Sequence, residues 1–129
     1  MIYLDTSVAL AHLLAEDRSP PGSLWERTLV SSRLLQYELW VRLNSRHLED
    51  SHGEAARALL GRVDFIEMVP SVLTRVSEPF PLPVRTLDAI HLASMCFLRD
   101  QGQSVTLATY DLRLASVAVA LGIQQEMAA

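Results

Sequence analysis

Four acidic side chains stand where apolar runs leave little room for charge. Asp5 ends Met1-Ile2-Tyr3-Leu4, and Glu38 interrupts Leu34-Leu35-Gln36-Tyr37-Glu38-Leu39-Trp40-Val41. Asp88 lies inside Thr86-Leu87-Asp88-Ala89-Ile90-His91-Leu92-Ala93, and Asp111 follows Val105-Thr106-Leu107-Ala108-Thr109-Tyr110. Carboxylates are almost never fully buried unless they are paired or bound to a cation. Four of them on apolar elements, spread along the chain, point to one shared site. Oxygen-only donors suit a hard divalent ion, magnesium or manganese.

The chain of 129 residues is read as one domain, residues 1–129, long enough to bury a core. Half of its residues are hydrophobic. That surplus fits either an extra interface, such as a homodimer contact, or an Ala/Leu/Val-rich helical interior. No apolar stretch approaches the roughly 18 residues that a membrane span needs. No basic segment precedes the N-terminal apolar run, and Asp5 breaks that run, which argues against a signal peptide. Cys96 is the single cysteine, flanked by Met95 and Phe97, and reads as a buried thiol in a reducing compartment. A cytoplasmic location is therefore expected. The formal charge of −4 argues weakly against a nucleic-acid partner. Yet all eleven Lys-plus-Arg positions are Arg, the side chain that forks onto phosphate. Codon bias explains the same absence of Lys.

Strand and helix signals alternate along the chain. Ile2-Tyr3-Leu4 reads as a buried strand, followed by a helix over Ser7–Ala15 capped by Thr6 or Ser7. A turn spans Arg18–Ser23, and Leu24–Arg27 reads as a short helix. Leu29-Val30-Ser31 is a second strand. The next helix, from about Arg33 to His47, is capped by Ser31 or Ser32 and repeats Leu35, Leu39 and Leu43 at helical spacing. A helix opens at Ser51 and ends near Gly61, and Phe65–Val69 is a short third strand. Pro79, Pro81 and Pro83 enforce an extended loop. Thr86 caps an apolar helix that stops near Gly102. Val105–Ala108 is a strand, Asp111–Leu121 a helix closed by Gly122, and Ile123–Gln125 a last edge strand. The pattern predicts an α/β layer fold with a mainly parallel sheet of about four to five strands. Ligands of such sheets gather at the carboxyl ends of the strands, where Asp5 and Asp111 fall.

Clustered carboxylates repel and a divalent cation relieves the repulsion. Magnesium is usually held by one or two carboxylates together with waters and substrate phosphate. Other chemistries lack their motifs. No His/Cys spacing suits zinc, and there is neither a glycine-rich phosphate loop nor a Gly-x-Ser-x-Gly elbow. An aspartyl-phosphate phosphatase would carry a second Asp two positions after Asp5, where Ser7 stands. His91, one turn after Asp88, fits a satisfied structural histidine better than a site residue, and His12, His47 and His52 read as exposed. Trp25 and Trp40 fit an interface or the core. Arg33, Arg42, Arg46 and Arg85 fit either phosphate contacts or a solvated surface.

The segments Leu4-Asp5-Thr6-Ser7, Tyr37-Glu38-Leu39, Leu87-Asp88-Ala89-Ile90-His91-Leu92-Ala93 and Thr109-Tyr110-Asp111-Leu112-Arg113-Leu114-Ala115 resemble PIN-domain ribonucleases. Among these, the chain is similar to the VapC toxins of VapBC toxin–antitoxin pairs. Order and spacing match over nearly the whole chain, and the Asp-Ala-Ile-His-Leu-Ala block is the most specific piece. The resemblance implies a PIN-like three-layer fold and a Mg- or Mn-dependent endoribonuclease acting on RNA. It further implies a homodimer blocked by a VapB-like antitoxin. By position, Asp5, Glu38, Asp88 and Asp111 match the family's acids, and Ser7 and Thr109 match supporting hydroxyls. The Pro79–Pro83 segment departs from the family pattern. A housekeeping PIN nuclease, or a catalytically degenerate binding module, is the alternative expectation.

Overall fold

Four short strands form an all-parallel sheet: β1 (Ile2–Leu4), β2 (Leu29–Ser32), β3 (Val63–Ile66) and β4 (Thr106–Ala108), in the order β3-β2-β1-β4. The computed structural model describes residues 1–127. Parallel strands buried on both faces read as continuous apolar runs, and β1 and β2 are buried at every position. Side chains of a strand alternate between faces. Ile2 and Leu4 accordingly join a core with Leu29 and Val63, whereas Tyr3 joins a second core with Val30 and Leu107. The first core is completed by helices α1 (Thr6–Leu13), α2 (Leu34–Ser45) and α3 (Glu49–Leu60). A short helix, α4 (Pro70–Leu73), leads through a 3₁₀ turn at Thr74–Ser77 toward the proline loop. The second core is filled from α5 (Thr86–Asp100) and α6 (Leu112–Ala120). Helices on both faces of one parallel sheet make the three layers expected from the sequence.

The chain winds outward from β1 to β2 and β3 on one side, then crosses back to β4 on the other. The carboxyl ends of β1 and β4 therefore flank the point where the strand order reverses. That is where an open parallel sheet leaves a crevice.

Several expected boundaries move. Helix α1 begins at Thr6, and its cap is Asp5 instead of Thr6 or Ser7. Ser32 is the last residue of β2, and its Oγ accepts from the Leu34 N–H at 3.1 Å, doing the work of a cap. The third strand begins at Val63, two residues before Phe65, and ends at Ile66. Pro70 then starts a helix that apolar patterning did not reveal in so short a segment. The expected edge strand over 123–125 reduces to one parallel bridge between Leu107 and Gln125, so the sheet has four strands among the described residues. Gly122 closes α6 with a φ of +84°, a conformation that glycine adopts without strain. Trp25 and Trp40 are half-buried and pack on the first core. Cys96 is buried, and burial pushes its thiol pKa up. His12 and His47 are exposed as expected, while His52 is half-buried. No helix among the described residues is long and apolar enough to cross a membrane.

The core makes a plain prediction. Leu35 is fully buried on α2, whereas Val41 on the same helix is 67% exposed. Leu35→Ala should lower the unfolding free energy by about 2–5 kcal/mol, and Val41→Ala should change it by less than about 0.5 kcal/mol. Urea denaturation of the two variants measures the contrast.

Candidate functional site

Asp5 lies immediately after β1, and its geometry follows from two local demands. The first turn of α1 has orphan N–H groups, and Asp5 caps it by accepting from the Ser7 N–H at 3.4 Å. The carboxyl is 6% exposed and needs partners. Ser7 Oγ donates to Asp5 Oδ2 at 2.6 Å, and Thr109 Oγ1, from the residue after β4, donates to the same oxygen at 2.7 Å. Ser7 Oγ also accepts from the Tyr110 N–H, and Thr109 Oγ1 from the Asp111 N–H, both at 2.9 Å. The two hydroxyls thus fasten the carboxyl ends of β1 and β4 to each other. Asp111 caps α6, its Oδ1 accepting from the N–H groups of Arg113 and Leu114 at 2.9 and 3.3 Å.

Glu38, one turn into α2, is held through one oxygen as well. Its Oε1 accepts from Thr6 Oγ1 and meets His91 Nε2, each at 2.7 Å. Burial works to raise the Glu38 pKa, but the His91 hydrogen bond, the Thr6 hydroxyl and Arg42 outweigh it, so the pKa is lowered. His91 is 1% exposed and is the satisfied histidine that its apolar setting suggested. Its Nδ1 lies 2.7 Å from the Tyr3 hydroxyl, which in turn accepts from the Ser32 N–H at 3.0 Å. With the His91 proton on Nε2, facing the carboxylate, Nδ1 accepts from Tyr3, and every group in the line is paired. Burial holds the Tyr3 phenol protonated, well above its ordinary pKa.

Asp5, Glu38, Asp88 and Asp111 line one cavity of about 650 Å³ together with Ser7. Thr109 lies beneath it, buried, with its hydroxyl on Asp5. The cavity also takes in Glu16, Asp17, Arg18, Arg42 and Tyr110. Arg18 is laid over the Tyr110 ring at 4.8 Å, which brings a guanidinium to the rim. Of these, Tyr3, Thr6 and Arg18 were not anticipated. A tyrosine on an all-apolar strand was the available signal for Tyr3, since a buried hydroxyl needs a partner. Arg33 lies apart from the cavity. Its guanidinium pairs with Glu67 at 2.6 Å and covers the Phe65 ring, which removes it from the arginines that fit phosphate contacts.

The hydrogen bonds of three acids each fall on one oxygen: Asp5 Oδ2, Glu38 Oε1 and Asp111 Oδ1. The other oxygen of each has no protein partner among the described residues, and Asp88 has none on either. This donor set fits a hard cation. Among the described residues no group of three or more His, Cys, Asp or Glu side chains is arranged to hold one metal ion. Magnesium does not require three, because waters complete its shell around one or two carboxylates.

Asp88 carries the electrostatic cost of the cluster. Its pKa is raised, first by burial and then by the charges of Asp111 and Asp5. Protonation of Asp88 therefore favours the folded state, and this contribution, complete below the unfolded pKa, is lost as pH rises through the folded value. Asp88→Asn fixes the neutral form. In metal-free buffer at pH 7 the variant should melt about 2–4 °C above the wild type, the gap closing toward pH 3. Thermal melts across that range check the sign; a gap independent of pH would place the cost elsewhere.

A PIN domain family model matches residues 2–120. The chain is 30% identical over 123 residues to Ribonuclease VapC47 of Mycobacterium tuberculosis, covering 90% of this chain and 88% of that protein. It is 34% identical over 126 residues to Ribonuclease VapC46 and 31% identical over 129 residues to Ribonuclease VapC35, both of Mycobacterium tuberculosis. In each case the match covers 95% of this chain and 93% of the relative. A parallel sheet with acids gathered at its switch point and a family model spanning both halves of that site agree: this chain belongs to the PIN domain family.

Proposed function

We propose that this protein is a metal-dependent endoribonuclease toxin, restrained in the cytoplasm by a VapB-like antitoxin. The observation that carries the reading is the cavity at the switch point, where four carboxylates each keep at least one oxygen free of hydrogen bonds to the described residues. The ribonuclease names of three relatives at 30–34% identity support the choice of substrate.

Asp5, Glu38, Asp88 and Asp111 would hold magnesium or manganese. When bound, the metal would supply Lewis-acid polarisation of a phosphate oxygen and a water more readily deprotonated than bulk water. The residues of the chain do the positioning. Ser7 and Thr109 fix the Asp5 carboxyl through Oδ2, so that Oδ1 is left to meet a cation. Thr6 and His91 do the same for Glu38 through Oε1. Asp88, with no hydrogen bond and a raised pKa, gains most from a cation and couples loading of the site to its own ionisation. Arg18 and Arg42 at the rim offer guanidinium forks to the RNA phosphates that the acids alone would repel.

Tyr37 and Val41 are 51% and 67% exposed on α2, one turn apart, beside Glu38 and Arg42. That apolar strip suits a short antitoxin segment that covers the helix and sends an arginine to the acids. Homodimerisation belongs to the same reading and draws on the remaining exposed apolar side chains, among them Leu112 and Val119.

Asp5→Asn should lower RNA cleavage by about 100-fold or more while the fold and melting temperature persist, because a metal-holding charge is lost at constant volume. Thr109→Val, which removes only the hydroxyl behind Asp5, should weaken manganese binding by about 10- to 100-fold, the cost seen for groups that orient metal ligands. Cleavage of RNA in magnesium and in EDTA, with manganese titration by calorimetry, decides both. A folded Asp5→Asn variant with full activity would sink the catalytic reading. Light scattering at micromolar concentration tests the dimer, and inhibition by the product of the neighbouring reading frame tests the antitoxin.

A further inference from the structure

Seven of the eleven arginines are already engaged within the molecule: Arg18, Arg57 and Arg75 on aromatic rings, Arg27 and Arg33 with carboxylates, and Arg62 and Arg99 with backbone carbonyls. Of the four that remain, Arg42 lines the acid cavity, and Arg85 and Arg113 line a second cavity of about 380 Å³. Asp88 belongs to both cavities, so the second opens directly beside the first. Its walls are largely apolar, formed by Leu82, Val84 and Val117, and two arginines share the lining: Arg85 just before α5, Arg113 in the first turn of α6. Both arginines are exposed, and neither has an ion pair among the described residues.

A largely apolar slot lined in part by two free guanidiniums has a definite complement: a flat uncharged ring carrying a phosphate. We propose that this second cavity is a nucleotide subsite. It holds a base of single-stranded RNA next to the bond that the acid cavity cleaves, with Arg85 and Arg113 on the adjoining phosphate. The proposal rests on the ribonuclease reading and adds to it where the flanking nucleotide goes. Bases of single-stranded RNA lie well on apolar walls and on guanidinium planes. The charge arrangement separates the roles of the two cavities. The four acids would hold the cation that meets the scissile phosphate, and the arginines of the second cavity would take the neighbouring phosphate. The proline loop acquires a purpose as well: Pro81 and Pro83 flank Leu82 and stiffen the wall that a base would press against.

The test uses the full chain with Asp5→Asn, so that RNA is bound and not cleaved, and a fluorescein-labelled single-stranded RNA dodecamer of mixed sequence in magnesium. Adding Arg85→Gln and Arg113→Gln should weaken binding about tenfold or more. It should also lower the slope of log affinity against log salt by about 0.7, the value for the one phosphate charge no longer neutralised. Adding Leu82→Ser, at an exposed position, should weaken binding of intact RNA about threefold or more. It should leave unchanged the binding of the same RNA with abasic sites. Unchanged affinity in both variants overturns the subsite. So does an equal penalty from Leu82→Ser on intact and abasic RNA, which would leave a phosphate site with no base pocket. Displacement of the RNA by a polyglutamate peptide with equal potency would assign the cavity to an acidic protein segment instead. These outcomes are distinct from failure of the ribonuclease reading, which shows as no RNA cleavage by the wild-type chain in magnesium, whatever the arginines do.

Discussion

A buried line of hydrogen bonds, from the Ser32 N–H through Tyr3 and His91 to Glu38, ties the layers of this protein together. Tyr3 belongs to the central strand and to the core under α5, and His91 is on α5 itself. Glu38 is on α2, which packs in the opposite layer. Tyr3, His91 and Ser32 are buried, so losing a partner there would leave an unsatisfied polar group, a cost of about 1–3 kcal/mol. The line therefore fixes how the two helical layers meet above the carboxyl edge of the sheet. It also determines which oxygen of Glu38 faces the cavity. Without it, Glu38 would be one more flexible acid near a crevice.

Around that line the protein tolerates an arrangement that folding alone would reject. Like charges are gathered at one point of a small domain, and the Asp88 pKa, raised by burial first and by Asp111 and Asp5 next, records the cost. The cost is limited because the same groups serve as helix caps. Asp5 caps α1 and Asp111 caps α6, so each carboxylate that repels its neighbours also satisfies backbone N–H groups and faces the positive end of a helix dipole. Ser7 and Thr109 turn the ends of β1 and β4 into one rigid corner. Stability and site geometry share the same hydrogen bonds, which is why a hydroxyl as small as that of Thr109 matters to both.

Much of this was legible from residue order. Apolar runs ended by Asp5 and Asp111 marked strands whose carboxyl ends meet. The Leu35, Leu39, Leu43 spacing marked α2, and Gly122 marked the end of α6. The errors cluster where the local signal is short. Residues 70–77 carry no clear signal of their own, yet they form helical turns, with Pro70 suited to the first turn of a helix. The strand expected at 123–125 has too few partners on β4 to become more than a bridge. By sequence, Arg33 fits a phosphate contact or a solvated surface. Its side chain instead reaches toward β3 and Glu67, a direction that sequence spacing does not encode.

The sequence by itself determined the class of the fold, the identity of the four acids and the oxygen-rich character of the site, because apolar periodicity and misplaced charge are local properties of the chain. Only the tertiary structure decided that residues more than a hundred positions apart would share one carboxylate, as Ser7 and Thr109 share Asp5. It alone paired Tyr3 with His91 and gathered Arg85 and Arg113 around a second cavity. Such pairings depend on strand order and helix packing, in which a side chain's neighbours are set by the sheet's crossover and not by its place along the chain.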